Sequence, residues 1–550
     1  MRKLISMLAA MLLLLSSAGF AAAQEEGEVL NQEAYELYLA AEDNTLPICA
    51  PGEITLKIYV ELDEYAANFM QSYDEHPVVQ KVEELTGLNL EFVHPPAGDD
   101  GTFFNMTIAS GEYPDIFIAS DFSDSYPGGI EGAIQDGVLA DNDTLIRSYA
   151  KNFLHSLALS DKNTYRNTVN DDDHLTLGTC FLCDYLLGIN NMGMIARKDI
   201  LDQYGLTVPK TVDEMTEVLR ALKQNGIEVP MALGTLDNFR YTCSNFLSGP
   251  FGVVMNDYQV DENGKVFYSR ANDGYKTYLE QMSQWYQEGL IDRDFVNRDV
   301  SDALKMFYNG RTAFCIIGNW QTTEVMTLGQ AENAEFEIYP VRVPRLSDPE
   351  QAFHLGDPLT QGGVGDMLIS ATCKNQVAAV KFLDYLYNMD LAELAYYGTG
   401  EQEDGTTTYV ANEDGSLSYG DAIMNNPDWP YETIRHRYTL QIFQRQLLEG
   451  PESFEYSDPM CQTCWDEWGY LTDNAGRVPT SISRNAQEDT IFTNNQVDIE
   501  TYSDEMIYKF ITGSLNIQEN WDSFVATMNE MGLAENEQIQ QAAYERWLKR

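Results

Sequence analysis

The sequence predicts an α/β protein built from two separate α/β regions, and three observations predict it. Apolar residues alternate over short stretches and then recur at helical spacing, first from Glu53 and again from about Leu175. A further strand-and-helix pattern at 362–388 repeats the style of the first region after the second has begun, so the chain is expected to return to where it started. The 550 residues are 44% apolar and 11% aromatic, enough for a substantial core and more than one domain.

The first residues read as an export signal. Arg2 and Lys3 supply the charged region, Leu8 to Leu15 the apolar run, and Ala21 to Ala23 a small-residue cleavage site. The apolar run is too short to span a bilayer. The mature chain is expected to begin near Gln24, with residues 24–52 an acidic spacer or loosely docked helix. The formal charge of the whole chain is −52, and losing the signal removes two more cations. Such a field argues against nucleic acid and anionic lipid as partners.

Each element of the first region has its own signal. Ile54, Leu56, Ile58 and Val60 alternate as a strand does, and Val78, Val82 and Leu85 follow at helical spacing. Gly87 stands where a helix would stop, before a second alternation at Leu88, Leu90 and Phe92. A further helix leads into ASGEYPDIFIAS (109–120), whose Ile116-Phe117-Ile118 reads as a short buried strand. This rhythm is that of a parallel sheet with crossover helices.

In the second region, Thr211 and Glu214 have capping-box spacing, and Met215, Val218, Leu219 and Leu222 make one apolar stripe. NGRTAFCIIGNW (309–320) reads as helix end, turn, buried strand and exposed loop. Residues 403–420 have the composition of a hairpin.

The last forty residues carry an FITG turn (510–513), an NWDSF helix start (520–524) and amphipathic helices. Together with VEELTGLNLEFVHPP (82–96), ASGEYPDIF (109–117), RKDILDQYGLTVPKTVDEM (197–215), NGRTAF (309–314) and KFLDYLYN (381–388), they resemble the extracellular solute-binding proteins of family 1, in the long branch that serves ABC importers of oligosaccharides. The resemblance spans roughly residues 54–547. It implies a type II periplasmic-binding-protein-like fold, two lobes with a ligand cleft between them. The implied division is 53–173 plus 341–395 for the first lobe and 174–340 plus 396–550 for the second, with crossings near 174–183, 336–344 and 395–400. It further implies an exported monomer that takes up a sugar, closes about a hinge, and docks on membrane permease subunits. Two features depart from the family. YYGTGEQEDG (396–405) lacks the acidic residue of the usual GxEG segment, and the first cysteine is Cys49, so there is no lipobox cysteine at the signal.

Sugar recognition needs flat aromatic faces and planar polar groups, on loops at the carboxyl ends of strands. The candidates after the first region's third strand are Asp121 and Tyr126. Those in the crossing segment are Phe181, Asp184 and Tyr185, and those after AFCIIG are Asn319 and Trp320. Trp429 joins them from the proline-bounded loop NNPDWPYET. Against each stands ordinary packing: Tyr126 precedes Pro127-Gly128-Gly129 and suits a turn, while Trp285, Trp521 and Trp547 lie on helical stripes and read as core. Trp465 and Trp468 suit either a cleft roof or a helix face.

No cofactor and no metal site is expected. DENGKV (261–266) and NEDGSLS (412–418) lack the spacing of a twelve-residue calcium loop and read as hairpin turns. The CxxC pairs Cys180–Cys183 and Cys461–Cys464 fit ordinary thiols or disulfides first, zinc second and redox chemistry third. The main rival function is a secreted glycoside hydrolase, since 86 Asp and Glu residues supply acids in abundance. There is no G-x-S-x-G, HExxH, P-loop or dinucleotide motif, and the six histidines are scattered. A peptide binder is the second rival. Arg240 and Arg311 are the cations considered for an anionic glycan.

Overall fold

The computed structural model describes residues 29–550 apart from 100, 119–121, 181–191, 234–243, 255–257, 296, 299, 357–361, 414, 446–458 and 480. The expected export signal lies outside these residues.

In chain order the strands are β1 (Thr55–Tyr59), β2 (Asn89–Val93), β3 (Ile116–Ile118), β4 (Leu177–Cys180), β5 (Met192–Arg197), β6 (Tyr258–Val260), β7 (Val266–Tyr268), β8 (Phe314–Gly318), β9 (Ile338–Val341), β10 (Gly362–Ile369), β11 (Tyr409–Ala411) and β12 (Leu417–Tyr419). The first sheet has the order β2-β1-β3-β10-β4. Its β1 pairs in parallel with β2 and β3, as the rhythm of the sequence predicts. The returning β10 runs antiparallel to both β3 and β4.

The local chemistry behind this sheet is as expected. Leu56 and Ile58 are fully buried while Thr55 and Lys57 face solvent. Helix Pro77–Thr86 starts with Pro at its first position and ends on Gly87 at φ 76°. A side chain at Gly87 would also meet the Cys49 carbonyl oxygen at 2.2 Å.

The second sheet has the order β8-β5-β9, both pairs antiparallel. Helix Val212–Gln224 packs there with Met215, Leu219 and Leu222 fully buried. Thr211 accepts from the Glu214 amide at 3.2 Å, and the Glu214 carboxylate accepts from the Lys210 amide at 2.8 Å, one residue before the cap. β6 and β7 form the hairpin expected at DENGKV.

Of the two readings of residues 24–52, spacer or docked helix, the structure has the helix, and the division of the chain differs from the expected one in two further places. Helix Gln32–Ala40 is docked on the first lobe: the Leu30 and Asn31 amides both donate to the Ala158 carbonyl at 3.0 Å, and Ala34 is fully buried. Residues 396–443 pack with the first lobe rather than the second. The Leu440 amide bonds Ala395, Phe443 lies against Phe382 at 5.8 Å, and Tyr396, Tyr397, Tyr419 and Ile434 build a cluster over Phe69. Conversely, Val341, Val343, Phe353 and Leu355 belong to the second lobe's core. Burial of these apolar faces, which local sequence does not assign to a lobe, fixes the boundaries.

The C-terminal region forms three helices, Ala486–Thr512, Ile517–Glu530 and Leu533–Trp547, the first ending on Gly513 at φ 73°. Trp285 and Trp521 are core, as expected, and the Trp285 Nε1 donates to Thr216 Oγ1 at 2.9 Å. Trp547 is buried as well, at the junction with the first lobe. There its Nε1 donates to Asn167 Oδ1 at 3.2 Å, and the Asp171 carboxylate holds Arg546 and Arg550, each at 2.7 Å. The Gly128 amide adds a bond to Asp489 at 2.8 Å.

Candidate functional site

The way the chain passes between lobes locates a cleft. Cys180 at the end of β4 pairs with Gly362 at the start of β10, so both lie at one end of the first sheet. Because β10 is antiparallel to β3, that end also carries the carboxyl ends of β1 and β3. In the second sheet, Met192 at the start of β5 pairs with Gly318 at the end of β8, and Met194 pairs with Val341 at the end of β9. Connections 181–191 and 342–361 therefore join the same pair of sheet ends. A third connection runs from Phe443 to Pro459. Strand carboxyl ends are where α/β sheets hold ligands.

On the first lobe, the loop after β1 meets the segment around Trp429. His436 Nδ1 lies 2.9 Å from Asp63 Oδ1, and the same carboxylate accepts the Tyr65 and Ala66 amides at 2.9 and 3.0 Å. Burial pushes the Asp63 carboxyl up, but the His436 bond and charge and the two amides outweigh it and hold the group below its ordinary value. Two ring pairs stand beside this latch: Tyr65 lies 5.0 Å from the His436 ring, and Phe69 meets Trp429 edge-on at 5.1 Å. Tyr65 is 37% and Trp429 39% exposed, unusual for large rings held this firmly. Such a surface suits the apolar face of a pyranose.

On the second lobe, β8 ends in the turn Asn319–Gln321, which contains Trp320. Gln321 Oε1 accepts from the Gly318 amide at 3.0 Å, and Thr322 Oγ1 donates to the Asn319 carbonyl at 2.8 Å. Asn319 itself is buried, with Nδ2 3.8 Å from Cys461 Sγ and no partner for Oδ1 among the described residues. Behind this turn packs helix Pro459–Trp468, where Cys461 and Cys464 are buried one turn apart. Trp468 is fully buried and donates from Nε1 to the Met194 carbonyl at 3.0 Å, which settles it as a helix face. Arg342, just past β9, pairs with Glu467 at 2.5 Å and lies 3.6 Å over the Tyr470 ring.

The residues singled out from sequence fare differently. Trp429 stands exposed beside Phe69, and Asn319 and Trp320 occupy the turn at the end of β8. Tyr126 is packed inward. Its ring stacks on Phe122 at 5.8 Å and its hydroxyl donates to Asp136 at 2.9 Å. Burial first, and the Asp136 bond second, push that phenol up to about 12. Asp121, Phe181, Asp184, Tyr185 and Arg240 lie outside the described residues. Arg311 pairs with Glu228 at 2.7 Å before β8 begins, at the end of the sheet away from the cleft, so it does not serve the ligand. Tyr65 and Phe69 went unnoticed in the sequence, although the strand-end argument applies to the loop after β1 as it does after β3 and β8.

The model of the family described as bacterial extracellular solute-binding protein matches residues 71–393, more than half of the chain. The chain belongs to that family. As a solute-binding protein it holds a molecule without reacting it, and the glycoside-hydrolase alternative falls away. The chain is similar to the fructooligosaccharide ABC transporter substrate-binding protein FusA of Streptococcus pneumoniae serotype 4, at 23% identity over 86% of this chain and 87% of that one. It is also similar to the polygalacturonan/rhamnogalacturonan-binding protein YtcQ of Bacillus subtilis, at 23% identity over 84% and 88%. Among solved structures, the HMO-binding, ABC-transporter-associated solute-binding protein of Bifidobacterium longum infantis superposes with a TM-score of 0.72 at 17% identity, covering 91% of this chain and 100% of that one. At that identity the likeness is one of fold, and it supports the two-lobed solute-binding architecture.

Proposed function

We propose that this solute-binding protein captures an oligosaccharide in the cleft between its two sheets and delivers it to the permease subunits of an ABC importer. The observation that carries the proposal is two exposed rings beyond the end of β1, Tyr65 against His436 of the Asp63–His436 latch and Trp429 against Phe69. Stacked sugars need such rigid aromatic faces. The names of FusA and YtcQ, both carbohydrate binders over nearly the whole chain, support the same class. A formal charge of −52 favours a neutral glycan over a polyanionic one.

The mechanism is closure about the connections that join the sheet ends. An oligosaccharide bridging the aromatic face of the first lobe and the Asn319–Gln321 turn of the second makes contacts in the closed form that the open form lacks, and only such a difference shifts the equilibrium. The closed protein then presents both lobes to the permease. The family's extracellular placement and the signal-like first residues support an exported protein.

A thermal-shift panel of neutral oligosaccharides, acidic oligosaccharides and peptides tests this, with the sugars assayed afterwards for integrity. Ligand at a hundred times its dissociation constant stabilises by about 2.7 kcal/mol. A shift with intact neutral sugars, accompanied by compaction in small-angle scattering, is the expected result. A shift with peptides alone, or binding without compaction, overturns the ligand class or the closure respectively.

A further inference from the structure

A cavity of about 200 Å³ lies between the lobes at the end of the first sheet opposite the cleft, beside Leu177 of β4 and Met367 to Ile369 of β10. Its first-lobe wall includes Leu139, Ile146 and Leu175, and its second-lobe wall includes Val478 and Ile482. It is therefore separate from the aromatic face at the end of β1.

Two polar side chains that line it, one from each lobe, are left with an acceptor that no described residue uses. Asn142 is 8% exposed, and its Nδ2 donates to the Ala140 carbonyl at 3.0 Å, which fixes the amide. Its Oδ1 has no partner among the described residues. This is the more telling because Asn142 stands at the N-cap of helix Asp143–Tyr149, where asparagine ordinarily caps, and makes no capping bond. Gln540 is 7% exposed, and its Oε1 is likewise without a partner among the described residues. Glu131, also on the wall, contributes a third buried oxygen in the same condition. A buried acceptor left unmet costs about 1–3 kcal/mol, so three around one cavity call for a donor from outside the fold.

We infer that this cavity is a second binding site, for a neutral polyhydroxylated molecule of about one ring. The size fits, since an engineered cavity of roughly 150 Å³ admits a benzene ring. The chemistry fits as well: hydroxyl groups supply the donors, and the Leu and Ile walls meet the C–H faces of a sugar or cyclitol. An anion is disfavoured because the cations at the wall are already neutralised, Arg484 by Asp489 at 2.9 Å and Arg550 by Asp171 at 2.7 Å. Because Asn142 and Gln540 belong to different lobes, an occupant ties the lobes together independently of the cleft.

Isothermal titration of the full-length mature protein with D-glucose and with myo-inositol tests the inference in the wild type, Asn142→Leu, Gln540→Met and Trp429→Ala. Folding of each variant is checked by thermal melting, and the two cavity variants, one in each lobe, cover for one another. At least one probe is expected to bind the wild type and Trp429→Ala alike, and to bind each cavity variant at least tenfold more weakly. Absence of binding by both probes overturns the inference. So does binding that survives either cavity substitution, or that Trp429→Ala removes, because the probe then occupies the cleft.

Discussion

Gly193 and Trp468 share one space: a Cβ built on Gly193 would lie 2.3 Å from Cδ2 and Cε2 of the Trp468 indole. The indole is fully buried and donates to the carbonyl of the next residue, Met194, so it has no room to retreat. Strand β5 and helix Pro459–Trp468 approach this closely because residue 193 has no side chain. Replacement Gly193→Ala is expected to destabilise the protein by about 1–3 kcal/mol. Urea denaturation followed by tryptophan fluorescence measures it, and an unchanged midpoint would mean that helix and strand separate easily.

Trp429→Ala is expected to weaken oligosaccharide binding by more than tenfold, about 1.4 kcal/mol. The melting temperature should change little, since the ring is 39% exposed. Tyr65→Ala should act in the same direction. Trp320→Ala is expected to weaken the same ligand from the second lobe. Calorimetry with the sugar found in the panel decides each case.

His76 gives the first lobe an acid-sensitive point. It is fully buried, its Nδ1 accepts from the Val78 amide at 3.1 Å as a helix cap, and its Nε2 donates to the Thr439 carbonyl at 3.2 Å. Burial first of all lowers its pKa from 6.5 to about 4. The unfolded chain therefore binds a proton between these values while the folded one does not, so stability falls as pH drops from 6.5 towards 4. The loss is at most about 3 kcal/mol for this one group. Urea midpoints between pH 7 and 4.5 should fall less steeply in His76→Gln than in the wild type. Parallel curves would remove His76 from the account.

Asp171 ties the last helix to the first lobe by accepting from Arg546 at 2.7 Å and from Arg550 at 2.7 and 2.9 Å. Asp171→Ala leaves both guanidiniums with other partners, Glu488 at 2.6 Å for Arg546 and Ser483 for Arg550. The expected cost is therefore that of charged hydrogen bonds, about 1.5–3 kcal/mol. Scattering should show a larger mean radius in the ligand-free variant than in the wild type. Equal radii would mean that the lobes are held elsewhere.

Local chemistry was readable wherever neighbours in sequence decide it. The alternation at Leu56 and Ile58, the stop at Gly87 and the stripe from Met215 to Leu222 all stand where periodicity puts them. What could not be read is pairing across long separations. Nothing local says that β10 reverses direction and inserts between β3 and β4, or that Leu440 and Phe443 turn back onto Phe382. At the candidate site, the sequence placed Trp429 in a proline-bounded loop as a candidate contact, and the structure finds its ring 39% exposed. Its neighbour Phe69 was not legible, because the two are brought together by contacts between segments far apart in sequence, the Asp63–His436 latch and the packing of Phe69 on the cluster around Ile434 among them. Tyr126 shows the limit of the strand-end argument, since a ring just past β3 also has the core of its own lobe to fill.

The insertion of β10 also sets a timetable. β4 pairs with β10 rather than with β3, and β10 begins only at Gly362. A ribosome must therefore translate the second sheet's three strands before the first sheet can be finished, and the edge of β3 waits uncovered meanwhile. An unpaired edge of this kind invites association with other chains. Slow synthesis of residues 192–361 should accordingly favour aggregation of the nascent first lobe, and a chaperone that covers β3 during that interval should raise the yield.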